Sequence, residues 1–173
     1  MVNQKTAVAL IGRSGEELEE YKKLLLKLNN EVVAAAPEDL LINTHVCRGN
    51  YHSTFFSSGA YDSVAELLFG EENVNAYYLE YDDERSGGFA PLAKVTGDKK
   101  VVLGLITTKT PELEDREKVI NRIHQAAKYI PLDRLYLSPQ CGFASCEIGN
   151  KLTEEEQWEK LRLVKEIAEE VWG

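Results

Sequence analysis

Short apolar runs alternate with longer segments of helical periodicity along this chain of 173 residues. The first helix is predicted to open with a capping box at Ser14 and Glu17 and to stop before Pro37. Four apolar runs then read as strands, at residues 40–47, Ala76–Glu80, 101–106 and 135–138. Because each strand is followed by a helical segment, the pattern predicts a parallel sheet with right-handed crossovers.

The last two helices carry start signals of their own. Thr110 and Pro111 are predicted as the N-cap and first helical residue of the third strand's helix. Thr153 and Glu156 form a capping box that opens the final helix. In that helix a set of residues at helical spacing is predicted to face the core: Trp158, Leu161, Val164, Ala168 and Val171.

Four strand–helix units are too few for a closed barrel, since a (β/α)₈ barrel takes about 250 residues and rarely fewer than about 200. We therefore predict an α/β fold in one domain, residues 1–173, forming roughly half of a TIM-type (β/α)₈ barrel. The continuous apolar strands predict a sheet covered on both faces. The unpaired edges of a half barrel predict a partner, either a second copy of the chain or a separate N-terminal half.

Composition and charge argue against several classes of function. The net charge of −9 would repel a phosphate backbone or an anionic membrane surface, so neither nucleic acid nor membrane is expected as a partner. An odd number of cysteines (three) without a secretory signal pattern disfavours a disulfide framework and predicts a cytoplasmic protein.

Polar residues with metal-binding side chains fall at the carboxyl ends of three predicted strands. His45 and Cys47 close the first strand, Glu80 closes the second, and Cys141 follows the fourth. His45 and Cys47 are two residues apart, so both side chains point to one face of an extended strand. Two sulfurs, one nitrogen and one oxygen suit Zn²⁺ better than Mg²⁺ or Ca²⁺. From spacing alone, His45 and Cys47 could be a chance pair that binds no metal, and His52 is an alternative ligand.

Three ordered motifs resemble those of the cobalamin-independent methionine synthase family. They are T-H-V-C-R-G-N at residues 44–50, Y-L-E-Y-D-D-E-R-S-G at 78–87 and L-S-P-Q-C-G-F-A-S at 137–145. The likeness runs from about Glu17 to Trp172, is closest to the family's short branch, and implies the C-terminal, zinc-binding half of the barrel. It makes residues 15–173 the family-like region and leaves residues 1–14 weakly assigned. It implies His45, Cys47, Glu80 and Cys141 as zinc ligands, with Glu84 as an alternative carboxylate.

The resemblance also implies an activity, which is zinc-dependent methyl transfer to the thiol of homocysteine, giving methionine. A donor such as 5-methyltetrahydrofolate would supply the methyl group, and a partner half-barrel or an oligomer would be needed. Arg85 and Ser86 are expected to contact a substrate carboxylate. Lys109 aligns with the histidine proton donor of larger members, where it would be a catalytic group, although a solvated loop lysine is an equal alternative. No residue is expected to bind an organic cofactor.

Two other interpretations of the resemblance stay open. In one, the chain is a non-catalytic remnant that binds zinc. In the other, it is a zinc thiol methyltransferase linked to a corrinoid, for which methylcobalamin would serve as donor in place of methylfolate.

Overall fold

A computed structural model describes residues 11–173 of the chain. Its regular elements are four α-helices and four β-strands, joined by loops and short 3₁₀ turns. In chain order they are α1 (Gly15–Ala34), β1 (Asn43–Val46), α2 (Ala65–Glu71), β2 (Ala76–Glu80), β3 (Lys100–Ile106), α3 (Arg116–Ala126), β4 (Leu135–Pro139) and α4 (Glu154–Trp172). None of the helices in this part of the chain is long and apolar enough to span a membrane.

The four strands form one parallel sheet in the order β1-β2-β3-β4. The predicted α/β fold with parallel (β/α) units is therefore confirmed. The register places His45 beside Tyr78 and Glu80 beside Gly104, so polar residues from neighbouring strands meet at the carboxyl edge. Strands β2 and β3 approach closely at Gly104, where an added Cβ would lie only 2.7 Å from the Leu79 carbonyl oxygen.

Helices cover one face of this sheet within the described residues. Tyr77 and Leu79 of β2 point toward the helices and are fully buried in the apolar core. Tyr78 between them faces the other way and is 40% exposed, as is Tyr136 of β4 at 41%. The prediction of a sheet covered on both faces was wrong for this part of the chain, since the second face carries the exposed Tyr78 and Tyr136.

The predicted helix starts are confirmed only in part. The capping box of α4 is present, with the Thr153 side chain accepting from the Glu156 N–H. Ser14 precedes α1 without a side-chain cap. The predicted start of α3 at Thr110 was wrong, because the Asp115 carboxylate accepts from the Lys118 N–H and starts the helix at Arg116.

Strand β1 and helix α4 also depart from the predictions. β1 is shorter than residues 40–47, and Leu41 before it is 74% exposed. The buried residues of α4 are Lys160, Leu163 and Ile167, whereas Trp158 is 51% exposed. Val164 and Val171 pack against the core as predicted, but the centre of the buried face lies about one position away from the predicted stripe, because the sequence does not mark the buried Lys160 as a core residue.

Candidate metal centre

The carboxyl ends of β1, β2 and β4 bring four potential metal ligands together. His45 lies in β1, Cys47 directly follows it, Glu80 ends β2, and Cys141 lies two residues beyond β4. One ligand atom from each residue lies within 4.8 Å of the others. Glu84 is exposed in the next 3₁₀ turn and lies outside this group, in which Glu80 is the one carboxylate.

The backbone orients two of these side chains. His45 Nδ1 lies 3.1 Å from the carbonyl oxygen of Tyr78, so an Nδ1–H donates there and leaves Nε2 for a metal. The Gly49 N–H donates to Cys47 Sγ at 3.1 Å. Hydrogen bonds of this kind fix the tautomer of a ligating histidine and the direction of a ligating sulfur. His52 is held elsewhere, with Nδ1 at 3.1 Å from the Gly149 carbonyl oxygen.

The two thiols hold protons differently. Their sulfurs are 3.5 Å apart, and Cys141 Sγ donates to Glu80 Oε1 at 2.7 Å. The close contact with Cys141 Sγ and a hydrogen bond with His45 lower the pKa of Cys47 to about 3. The contact with Cys47, burial and the Glu80 carboxylate raise the pKa of Cys141 well above its ordinary value. The hydrogen bond to Cys47 also raises the pKa of His45.

The donor set fits a soft divalent cation. With both thiols ionised, the two sulfurs and the carboxylate would carry three negative charges in a small volume, and a bound dication would compensate two of them. Glu80 is fully buried, yet its Oε2 accepts no hydrogen bond from the described residues. Burying a carboxylate oxygen without a hydrogen-bond donor costs free energy, and a cation bound to that oxygen would offset the cost. Two sulfurs, an imidazole nitrogen and a carboxylate oxygen match the ligands of tetrahedral zinc.

Arg48 is a residue of this centre that the sequence reasoning missed. It is 6% exposed, its backbone N–H donates to Glu80 Oε1 at 2.9 Å, and its Nη1 lies 3.8 Å from Glu80 Oε2. The guanidinium also donates to the carbonyl oxygen of Gly59 and to Tyr61 Oη, at 2.6 and 2.8 Å. Its position directly after Cys47 was the one indication in the sequence, but an arginine in a loop is ordinarily predicted to be exposed to solvent.

A polar network joins the loop after Cys47 to the loop after Cys141. Asn50 Nδ2 donates to the Gly142 carbonyl oxygen at 3.0 Å and to Ser145 Oγ at 2.7 Å. Asn50 Oδ1 accepts from Asn150 Nδ2 at 3.0 Å, and Asn150 also donates to the Thr108 carbonyl oxygen at 2.6 Å. These bonds fix the separation of the two cysteine-bearing loops without contributing ligands.

The other predicted site residues, Arg85, Ser86 and Lys109, differ in their burial and in their hydrogen-bond partners. Arg85 donates to the carboxylates of both Asp82 and Asp83, so its charge already has partners. The Ser86 side chain is fully buried. Lys109 is not a solvated loop lysine, since it is 8% exposed and its Nζ donates to Gln140 Oε1 at 2.6 Å.

A cavity of about 420 Å³ opens beside the centre. His45, Cys141, Tyr78, Gln140 and Phe143 are among the residues that line it. A small ligand in this cavity would therefore reach two of the four candidate metal ligands and one buried amide.

Comparison with known proteins identifies the family. Residues 25–170 match the family described as cobalamin-independent synthase, catalytic domain. The Bacillus subtilis protein YxjG, which is uncharacterized, is 52% identical over 159 residues, covering 91% of this chain and 42% of that protein. The methionine synthase of Pyrococcus horikoshii is 20% identical over 149 residues, covering 77% of this chain and 40% of that protein.

Solved structures agree with this assignment. The putative vitamin-B12 independent methionine synthase of Listeria monocytogenes superposes with a TM-score of 0.67 at 38% identity, covering 93% of this chain and 43% of that chain. A B12-independent methionine synthase from Shewanella superposes equally well at 22% identity, with a TM-score of 0.67, and supports the fold alone; it covers 84% of this chain and 42% of that chain.

The chain therefore belongs to the cobalamin-independent methionine synthase family, and its match lies in the catalytic domain. Its sheet and helices are part of the TIM-type barrel of that family. The chain spans about 42% of the length of YxjG and of YxjH, a second uncharacterized relative from Bacillus subtilis.

Proposed function

We propose that this chain binds zinc through His45, Cys47, Glu80 and Cys141 and takes part in methyl transfer to the thiol of homocysteine. The observation that carries the proposal is the group of four ligand atoms within 4.8 Å of one another, in a family named for a methionine-forming synthase. Glu80 Oε2 at the same point accepts no hydrogen bond from the described residues, although Arg48 Nη1 lies 3.8 Å away, so this oxygen is free to bind a cation.

The chemistry follows from the ligands and the cavity. When bound, zinc supplies a Lewis acid that lowers the pKa of a substrate thiol, so that thiolate is present near neutral pH. The substrate sulfur forms a bond to the methyl carbon, and the donor keeps the electron pair of its broken bond and takes up a proton. The chain's own residues hold the metal and exclude water on the helix-covered side, while His45, Cys141 and Gln140 shape the cavity for the thiol.

Three features support the need for a further protein surface. The chain covers 42% of YxjG, one face of its sheet exposes Tyr78 and Tyr136, and β1 and β4 are edge strands. An exposed sheet face beside the candidate centre is a poor environment for a reaction that needs water excluded. We propose that a second copy or a separate N-terminal half-barrel covers that face and completes the donor site.

The test measures methyl transfer from 5-methyltetrahydrofolate and, separately, from methylcobalamin to homocysteine by the zinc-loaded chain. It is run alone and with the part of YxjG that has no counterpart in this chain, with Cys141→Ser as the inactive control. Methionine formed from methylfolate and lost in the control supports the proposal. Transfer from methylcobalamin alone would favour the corrinoid-linked alternative. Stoichiometric zinc without transfer in any combination would favour the non-catalytic remnant.

A further inference from the structure

The pairing of β1 with β2 stops one residue short of the carboxylate ligand. Val46 and Leu79 form the last pair of that ladder, so Glu80 has no partner residue in β1. Cys47 already lies outside β1. Three of the four candidate ligands come from these two chain segments. At the level of Cys47 and Glu80, the strand ladder therefore no longer fixes the distance between them.

The Tyr61 hydroxyl lies between the two strand ends. It accepts from the Glu80 N–H at 2.9 Å, whereas the next N–H along β2, from Tyr81, donates to the Gly104 carbonyl oxygen of β3. Tyr61 Oη also lies 3.3 Å from the Glu80 carbonyl oxygen and 3.5 Å from the Val46 carbonyl oxygen of β1, both within reach of its proton. One hydroxyl therefore takes the place of the next hydrogen bond between β1 and β2.

Arg48 holds the hydroxyl in this position. Its Nη1 donates to Tyr61 Oη at 2.8 Å, and its guanidinium carbon lies 4.2 Å from the centre of the Tyr61 ring. The backbone N–H of Arg48 donates to Glu80 Oε1 at 2.9 Å, so one residue contacts both the phenol and the carboxylate ligand. A hydroxyl accepts two hydrogen bonds and donates one, so the buried Tyr61 hydroxyl has its full set of partners.

Two other tyrosines of the same core differ from Tyr61 in what their hydroxyls contact. Tyr77 is fully buried, and its hydroxyl donates to the Leu68 carbonyl oxygen in α2. Tyr81 is also fully buried, and its hydroxyl has no hydrogen-bond partner in the described part of the chain. Of the three, Tyr61 is the one whose hydroxyl is bonded to the strand ends that carry metal ligands.

We propose that Tyr61 is a positioning residue of the metal centre, held in place by Arg48. Its hydroxyl sets the separation of the β1 and β2 ends and thereby the places of Cys47 and Glu80. Its hydrogen bonds go to backbone groups and to Arg48, so it acts on the metal through these two ligands. This inference rests on the proposed function, because the ligands that Tyr61 positions are those of the proposed zinc site.

The test compares Tyr61→Phe, which removes the hydroxyl and keeps the ring, with Tyr77→Phe as the matched control. Both variants lose one buried hydroxyl from the same core, so a general loss of stability affects them alike. Zinc affinity is measured by chelator competition, and the ligand-field absorption bands of Co²⁺-loaded protein report the geometry of the ligands. We expect Tyr61→Phe to bind zinc about tenfold to a hundredfold more weakly and to shift the cobalt bands. Tyr77→Phe should keep both properties of the wild type.

Unchanged zinc affinity and unshifted cobalt bands in Tyr61→Phe would overturn the proposal, as would equal losses in Tyr77→Phe. Arg48→Lys is a second variant, because lysine keeps the positive charge but lacks the planar fork that reaches Gly59 and Tyr61 together. If Tyr61 and Arg48 act as one unit, the double variant loses no more affinity than the weaker-binding single variant. Losses that add would contradict this unit. If circular dichroism shows Tyr61→Phe unfolded, the same comparison is made between Arg48→Lys and Tyr77→Phe.

A metal-free measurement separates this inference from the zinc site itself. Phenylarsine oxide bonds to two neighbouring thiols and releases water, and Cys47 Sγ and Cys141 Sγ lie 3.5 Å apart. Its affinity is measured on proteins that carry Cys146→Ser, which leaves these two thiols.

If the wild-type centre binds the arsenical but no zinc, the proposed function fails. In that case weaker arsenical binding in Tyr61→Phe than in Tyr77→Phe still supports the positioning role, and equal binding overturns it. Zinc binding that is the same in the wild type and in Tyr61→Phe contradicts the positioning role while the proposed zinc site stands.

Discussion

Replacing Arg48 with methionine should destabilise the metal-free protein strongly. The guanidinium is buried and donates to the Gly59 carbonyl oxygen from two nitrogens, at 3.0 and 2.6 Å. It also donates to Tyr61 Oη at 2.8 Å and to the Glu80 carbonyl oxygen at 3.3 Å, and it packs over the Tyr61 ring. The same group is the nearest positive charge to Glu80 Oε2, at 3.8 Å.

The expected magnitude follows from what the substitution leaves behind. Methionine fills much of the volume but leaves the Gly59 carbonyl without its donor and the buried Glu80 carboxylate without its counter-charge. Removing one partner of a buried ion pair typically costs about 3–5 kcal/mol, so we expect the free energy of unfolding to fall by that amount. Such a loss is a large share of the roughly 5–15 kcal/mol that stabilises an ordinary domain.

Urea unfolding followed by circular dichroism measures the change. Arg122→Met is the matched control, because the half-buried Arg122 packs over the Phe89 ring and makes no side-chain hydrogen bond with the described residues. That control should cost about 1 kcal/mol or less. The role given to Arg48 would be refuted if Arg48→Met lowered the free energy of unfolding no more than Arg122→Met does. The comparison requires that the slope of this free energy against urea concentration is unchanged.

Three further perturbations test the centre and its supports. Asn50→Ala frees the two cysteine-bearing loops from each other and should weaken zinc binding about tenfold to a hundredfold in a chelator competition; unchanged affinity would argue against the network. Gly104→Ala places a Cβ 2.7 Å from the Leu79 carbonyl oxygen and should lower the free energy of unfolding by about 1–3 kcal/mol; a neutral effect would show that β2 and β3 separate easily. In metal-free protein the lowered pKa of Cys47 keeps its thiolate present as pH falls, so the alkylation rate of Cys47 should stay nearly constant between about pH 5 and 8. A rate that rises tenfold per pH unit, as for a thiol of ordinary pKa, would contradict this hydrogen bonding.

The sequence predicted what depends on local chain chemistry. Strand β2 begins and ends as expected, because its apolar residues are continuous and Glu80 closes them. The capping box at Thr153 formed because both partners lie within one helical turn. The gathering of His45, Cys47, Glu80 and Cys141 followed from the rule that the strands of a parallel sheet end at one edge.

What the sequence did not predict depends on contacts far apart in the chain. Arg48 is buried because Gly59, Tyr61 and Glu80 accept its hydrogen bonds, and the local motif shows none of these partners. Lys160 enters the core because Glu114, 46 residues away, receives its charge. The start of α3 moved from Thr110 to Asp115 because two residues of similar N-cap preference compete within five positions.

The central claim is that these four residues form a zinc site, and zinc content per chain tests it most directly. Metal is measured by atomic emission on anaerobically reconstituted protein of known oligomeric mass, with Cys47→Ser and Cys141→Ser as controls. We expect about one zinc per chain in the wild type, with affinity lost in both variants because each removes a thiolate ligand. No zinc in folded wild-type protein, or equal zinc in the variants, would contradict the claim.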